Sequence, residues 1–509
     1  MKLRVSGADP AEQELDALII PLARSETLPR GLRGLDAALD GAITRSLERG
    51  DFAGNSNELS ALLGGEQAAK RIILIGLGDQ KEVSEQTLRA ATATAVREAA
   101  RRKSRSAGLL VPPLRRIPTP NAGQALTEGA LLGSYRFDKY RTTQDKPTAL
   151  ESLELFMPDA ARARALRQGI AIGTITAEAE NLARDLSNEP GSVHTPAWLG
   201  ERAREIGREF GLRVHVLGAR ELEAQKLGGL LAVGRGSANP PRLIVLEHGT
   251  RPKASARPGR KATGRSPRGR PTIALVGKGI TFDTGGVSLK PSASMEDMKH
   301  DMSGGAAVLG CMRAIALLKL PLHVVGIVPA AENKQGANAY LPGDVIETAA
   351  GKTIEVINTD AEGRIVLSDA IHYATRYEPD AIIDLATLTG ACVVALGSAA
   401  AGLMGNDDVL IERVRAAGER AHERAWPLPL WKEHREQIKS HIADIKNTGG
   451  REAGTLTAAA FLSHFAGEIP WAHLDIAGTA WTGRDQALCV KGATGFGVRL
   501  LVELLRNWR

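Results

Sequence analysis

The stretch Thr272-Ile273-Ala274-Leu275-Val276-Gly277-Lys278-Gly279-Ile280-Thr281-Phe282-Asp283-Thr284-Gly285-Gly286 opens on five apolar or β-branched residues and runs into a glycine-rich loop. A short apolar run closed by glycine reads as a buried strand. The loop carries Lys278 and Asp283, five residues apart, among glycines that let the backbone turn tightly. Open parallel sheets place their active sites beyond the carboxyl ends of their strands, and this loop sits at such an end.

Outward from this stretch the same rhythm repeats. Residues 213–217, 243–247, 323–328, 353–357 and 381–385 have β-like composition, and 304–319 and 365–376 have helical periodicity. Strands alternating with helices predict a mostly parallel central sheet covered by helices. Toward the N-terminus, residues 17–21 and 71–76 read as strands and the Ala-rich 84–102 as a helix. A long helix is expected over 160–187, stopped by Asn188-Glu189-Pro190-Gly191. The expected organisation is α/β in two domains. Residues 1–160 form a small N-terminal α/β domain, 161–187 a connecting helix, and 188–509 a larger C-terminal domain.

Composition narrows the function classes. The 509 residues carry a net charge of +7, yet 251–270 alone holds eight Lys and Arg and no acid. Without those eight charges the remainder stands at −1, which argues against a general nucleic-acid binder. Residues 250–271 are expected to be a disordered basic insertion, because they offer almost no large apolar residue to offset the entropy of ordering. Cys311, Cys392 and Cys489 are odd in number and widely spaced, so a reducing compartment is expected. The start, Met1-Lys2-Leu3-Arg4-Val5-Ser6, has no apolar run of a signal peptide, and no uncharged stretch is long enough to span a bilayer. A cytoplasmic location without membrane attachment is expected.

The chemistry-bearing residues gather on two loops. One holds Lys278, Asp283, Lys290 and Asp301. The other is Asn358-Thr359-Asp360-Ala361-Glu362-Gly363-Arg364, which follows a strand and opens a helix. Four carboxylates in one cleft would raise each other's pKa, and two divalent cations would neutralise them. Two such cations about 3.5 Å apart repel by on the order of 20 kcal/mol at an effective dielectric near 20, so carboxylates must bridge them. An ordinary ion-pair network is the competing account. It fits any single pair better than acids grouped on glycine-rich loops. There is no HExxH, and oxygen ligands with one amine suit zinc, manganese or magnesium. His300 reads as a supporting or packing residue.

The heptapeptide 358–364 resembles the signature of the leucyl aminopeptidase family, peptidase family M17. Lys278, Asp283, Lys290-Pro291 and Asp301-Met302 stand at that family's spacing. Tyr135-Arg136-Phe137-Asp138, Asp384-Leu385-Ala386-Thr387-Leu388-Thr389-Gly390 and Gly492-Ala493-Thr494-Gly495-Phe496-Gly497 also match. The resemblance implies a metallo-exopeptidase that removes leucine-like N-terminal residues from peptides. It implies one metal on Lys278, Asp283, Asp301 and Glu362 and a second on Asp283, Asp360 and Glu362, the Asp360 carbonyl included. The ions would be zinc or manganese, with magnesium or cobalt as alternatives. Lys290 and Arg364 would be the catalytic residues that are not ligands, with bicarbonate held by Arg364 and a hydroxide bridging the metals as nucleophile. Met298, Thr387, Leu388 and Gly390 would meet the substrate, and the assembly would be a homohexamer. Ser192 departs from the Asn that many relatives carry. Two rival readings remain: a nucleic-acid or regulatory role for 251–270, and a phosphate enzyme built on Gly76-Leu77-Gly78 or Gly277-Lys278-Gly279. Neither glycine pair completes a phosphate-binding motif.

Overall fold

The computed structural model describes residues 1–25, 27–64, 69–114, 116–142, 148–250 and 270–508. The basic insertion expected over 250–271 falls mainly on 251–269, outside the described residues. The chain divides into two compact units, Met1–Asn181 with Gly483–Lys491, and Leu182–Thr482 with Gly492–Arg509. The division falls within the helix Ala160–Asn188.

The first unit is built on β1 (Lys2–Ser6), β2 (Ala17–Leu22), β3 (Leu59–Leu63), β4 (Arg71–Gly76), β5 (Ser106–Leu110) and β6 (Ser152–Phe156), in the order β1-β6-β5-β2-β4-β3. All neighbours are parallel except β3 and β4. β2 is buried along its whole length, as expected of a central parallel strand. The helix Glu85–Arg101 starts at Ser84, whose hydroxyl caps the Thr87 N–H. A buried Arg89–Glu128 pair at 2.7 Å ties it to the helix Thr119–Gly133.

The second unit contributes β7 (Arg213–Leu217), β8 (Arg242–His248), β9 (Thr272–Gly277), β10 (Gly279–Asp283), β11 (His323–Asn333) and β12 (Val345–Glu347). It continues with β13 (Thr353–Glu355), β14 (Ala381–Ala386), β15 (Ala401–Gly405), β16 (Ala425–Pro427), β17 (Ile445–Lys446) and β18 (Trp471–Asp475). The large sheet runs β16-β15-β18-β14-β9-β11-β8-β7, with β10 also beside β11. Its centre, β18-β14-β9-β11, is parallel, while β8 and β7 on one flank and the β15–β18 pair on the other are antiparallel. β13, expected beside the other strands, instead joins β12 and β17 in a separate small sheet.

Strand alternation then divides the core. Ala274, Val276, Val325 and Ile327 pack with Ile365, Val366 and Ala370 of the helix Glu362–Thr375. Gly326, between two of them, faces the helix Ser303–Leu317, where a Cβ would lie 2.8 Å from Met312 and 2.9 Å from Val308. A helix therefore covers each face, and the carboxyl ends of β10, β11, β14 and β18 are left to carry polar groups. No helix among the described residues is long and apolar enough to cross a membrane, and the three cysteines are free and buried.

Candidate metal centre

Asp283 is the last residue of β10, Asn333 the last of β11 and Asp475 the last of β18, and Thr387 directly follows β14. The ladder of β9 with β11 stops at Val276↔Ile327 and resumes in β10 at Gly279↔Ala330. Lys278 occupies the gap, anchored by its N–H to the Leu385 carbonyl at 3.0 Å. Its ammonium donates to the Thr387 carbonyl at 3.0 Å and lies 2.7 Å from Asp301 Oδ2 and 2.8 Å from Glu362 Oε1. Gly363 makes room for it: a Cβ there would meet Lys278 Nζ and Cε at 2.7 Å.

Lys290 approaches from the other side, 2.9 Å from Asp283 Oδ2 and 2.5 Å from Asp360 Oδ1. The Asp360 loop is stitched to the Lys290 loop. Thr359 Oγ1 donates to the Gly285 carbonyl at 2.6 Å, and the Ser288 N–H donates to Thr359 Oγ1 at 2.8 Å. Glu362 opens the helix Glu362–Thr375, where a negative charge suits the positive end of the helix dipole. Asp301 is held by Thr387, whose hydroxyl donates to Asp301 Oδ1 at 2.6 Å.

One carboxylate oxygen from each of Asp283, Asp301 and Glu362 lies within 4.8 Å of the other two, and all three residues are buried. Burial, reinforced by the neighbouring carboxylates, pushes Glu362 up to about 8 and Asp301 up to about 6, and Asp360 moves in the same direction. Burial pulls Lys278 and Lys290 down, but the surrounding carboxylates outweigh it and hold both ammonium groups above their ordinary value. Asp301 Oδ2, Asp360 Oδ1 and Glu362 Oε2 are buried with no hydrogen-bond partner among the described residues. Asp301 Oδ2 and Asp360 Oδ1 are compensated by the charge of a lysine ammonium, at 2.7 and 2.5 Å. Buried acceptors left in this condition are costly in a folded protein. The donor set therefore fits divalent cations, with carboxylate oxygens and one amine converging on one place.

Arg364 is also buried, and its Nε and Nη1 have no partner among the described residues. Burial lowers it to about 10, so it stays charged at neutral pH. Leu388 and Thr389 direct their N–H groups to Asp475 Oδ1 at 3.2 and 3.4 Å, and Thr389 caps the helix Gly390–Leu396. Gly390 begins that helix, exposed, with open space where a Cβ would stand. Met298 is half-buried in the short helix Met295–His300, three residues before Asp301, whose N–H donates to the Met298 carbonyl at 3.3 Å. His300 stacks on Trp481 with ring centroids 4.9 Å apart, a packing role.

Sequence reading passed over Asn333, Tyr340 and Gly363. Asn333 and Tyr340 both donate to the Thr359 carbonyl, at 3.0 and 2.8 Å. An Asn closing an apolar strand and a lone Tyr in a loop carry no sequence signal of such contacts. Gly363 lay within the quoted heptapeptide, and only the path of Lys278 explains it.

The cytosol aminopeptidase family, catalytic domain, matches residues 181–502, and its N-terminal domain matches 19–144. A probable cytosol aminopeptidase of Roseiflexus castenholzii is 48% identical over 100% of this chain and 99% of its own length. One from Syntrophotalea carbinolica is 46% identical over 99% of each. Among solved structures, a mutant of tomato leucine aminopeptidase superposes with a TM-score of 0.87 at 32% identity, over 99% of this chain and 96% of its own. The bottromycin maturation enzyme BotP in complex with Mn gives 0.84 at 36%, over 97% and 99%. The chain belongs to the cytosol aminopeptidase family, peptidase family M17, and is a metal-dependent aminopeptidase.

Proposed function

We propose that residues 188–509 cleave the N-terminal residue, preferentially a leucine-like one, from cytosolic peptides, with 161–187 joining them to an N-terminal domain of residues 1–160. The observation carrying this is the convergence of Asp283, Asp301 and Glu362 oxygens within 4.8 Å, with the Lys278 and Lys290 ammonium groups against them. Lys278, as the neutral amine left once a cation displaces its proton, would join Asp283, Asp301 and Glu362 in holding one divalent cation, and Asp283, Asp360 and Glu362 would hold the other, zinc or manganese in first place. When bound, such a pair would supply Lewis acidity and lower the pKa of water at the site.

The protein's own groups do the rest. Lys290 keeps its proton and offers the ammonium to the oxyanion that develops on the scissile carbonyl. Arg364, charged and without a partner for Nε and Nη1, holds a small anion. Bicarbonate there would carry the proton from water to the leaving amine. Met298, Thr387 and Gly390 border the first side chain, and Leu388 offers backbone contacts. No atom lies within 4 Å of where a Cβ would stand on Gly390, and Met suits a tolerant apolar pocket. The cation held with Lys278 would supply affinity for a free substrate amine, which would restrict cutting to N-termini. A homohexamer is the proposed assembly.

The test is digestion of an unblocked and an N-acetylated peptide, read by mass spectrometry with and without chelator. A ladder shortening from the free N-terminus, abolished by chelator and restored by zinc or manganese, is expected. Shortening from the C-terminus, or cutting of the blocked peptide, would overturn the reading.

A further inference from the structure

We propose that Asn333 is a positioning residue of the metal centre: its carboxamide fixes which oxygen of Asp283 faces the cations and couples Asp283 to the Asp360 loop. The inference rests on the metal-centre reading above. Asn333 and Asp283 are in-register partners at the ends of β11 and β10, so their side chains emerge on the same face of the sheet. Asn333 is fully buried. Its Nδ2 donates to Asp283 Oδ1 at 2.8 Å and to the Thr359 carbonyl at 3.0 Å. An amide nitrogen has two hydrogens, and each has one acceptor here.

The orientation of the amide follows from its neighbours. Turned over, it would set its oxygen against two other acceptors, Asp283 Oδ1 and the Thr359 carbonyl, inside the protein. The Gly285 N–H also donates to Asp283 Oδ1, at 2.8 Å. With Oδ1 thus occupied by two donors, Oδ2 is the oxygen turned toward Lys290, 2.9 Å away, and the acidic cluster. The second hydrogen reaches the carbonyl immediately before Asp360, which the Tyr340 hydroxyl also holds, and so links Asp283 to the loop that carries Asp360. One side chain therefore aligns carboxylates from two loops, as hydrogen-bond partners of metal ligands do elsewhere. Gly286 leaves the space: a Cβ there would come within 2.8 Å of Asn333 Oδ1.

The experiment uses the full chain stripped of metal and titrated with Co2+, following visible absorption of the bound ion and affinity by chelator competition. Asn333→Ala should weaken Co2+ binding by roughly 10–100-fold and alter the absorption bands. Asn333→Leu keeps the size but supplies no donor to Asp283 or to the Thr359 carbonyl, so it should bind at least as weakly as Asn333→Ala while circular dichroism matches the parent. Tyr340→Phe removes a donor to the same Thr359 carbonyl without touching Asp283. It should stay within about threefold of the parent, against the larger loss expected of a ligand-orienting partner. Parent-like affinity and spectrum in both Asn333 variants, with the parent binding Co2+, would overturn this inference alone. Failure of the parent to bind Co2+ would overturn the metal centre and the inference together.

Discussion

A methyl group added at residue 363 would collide with the end of Lys278, 2.7 Å from both Nζ and Cε. The lysine cannot retreat freely, because its other contacts are the Thr387 carbonyl, Asp301 and Glu362. Gly363→Ala should therefore cut kcat/KM on leucine p-nitroanilide by about 100-fold, the cost of moving a reacting group by roughly 1 Å. Thermal unfolding should shift little. Parent-like turnover would mean that Lys278 need not occupy its observed place. Lys290→Ala separates two roles in a different way. If Lys290 serves the oxyanion, metal content by elemental analysis stays near the parent while turnover falls by about 10²–10³-fold. Loss of both metals would assign it to the scaffold instead. Most residues of this scale could be read from the chain, since Lys278, Asp283, Asp360, Glu362 and Arg364 stand in a recognisable pattern on loops after strands. Asn333 could not, because its partner lies 50 positions away and only sheet register brings the two together.

At the scale of elements, the helix Glu362–Thr375 is located by Asp369, a fully buried carboxylate. Its Oδ2 accepts the Leu230 N–H at 2.9 Å and its Oδ1 the Ala349 N–H at 2.8 Å. Burial pushes Asp369 up to about 7 despite these donors. The folded value lies above the unfolded one, so the stabilising contribution is complete below an unfolded value of about 4 and is lost as pH rises through about 7. Asp369→Asn should flatten the fall in stability between pH 5 and pH 8. It should also cost about 1–3 kcal/mol at pH 5, because an NH2 group must face a backbone donor. Unfolding midpoints at the two pH values check both; an unchanged pH slope would remove Asp369 from that role. Element positions followed from local pattern, and direction and length did not. β11 continues five residues past its expected end, through Pro329, which reads as a strand breaker. The helix opened by the heptapeptide begins at Glu362, three residues ahead of the periodic stretch that starts at 365. The antiparallel run of β8 and the placement of β13 in a separate sheet depend on pairings between distant residues, which alternation does not encode.

For the whole molecule, the decisive quantity is charge concentrated in one small volume. Asp283, Asp301, Asp360 and Glu362 face only Lys278 and Lys290 at ion-pair distance among the described residues, so full ionisation of the four would leave two negative charges uncompensated, inside a body whose composition is otherwise near neutral. The lysines offset part of this charge, and divalent cations would complete the compensation. Chelation should therefore abolish peptidase activity while leaving secondary structure by circular dichroism intact. The melting temperature should fall with chelation and rise again with added cation. A cation at about 100 times its dissociation constant adds about 2.7 kcal/mol of stability, so the recovery must depend on concentration. Lys290→Met sharpens the test because it removes one of the two compensating charges. In stripped protein it leaves one lysine ammonium against four carboxyl groups and should lower the melting temperature clearly. In metal-loaded protein, where the cations carry the compensation, the same change should matter much less. Equal melting temperatures for stripped and loaded protein, together with undiminished activity after exhaustive chelation, would show that the clustered acids are balanced by the lysines alone and that no cation takes part.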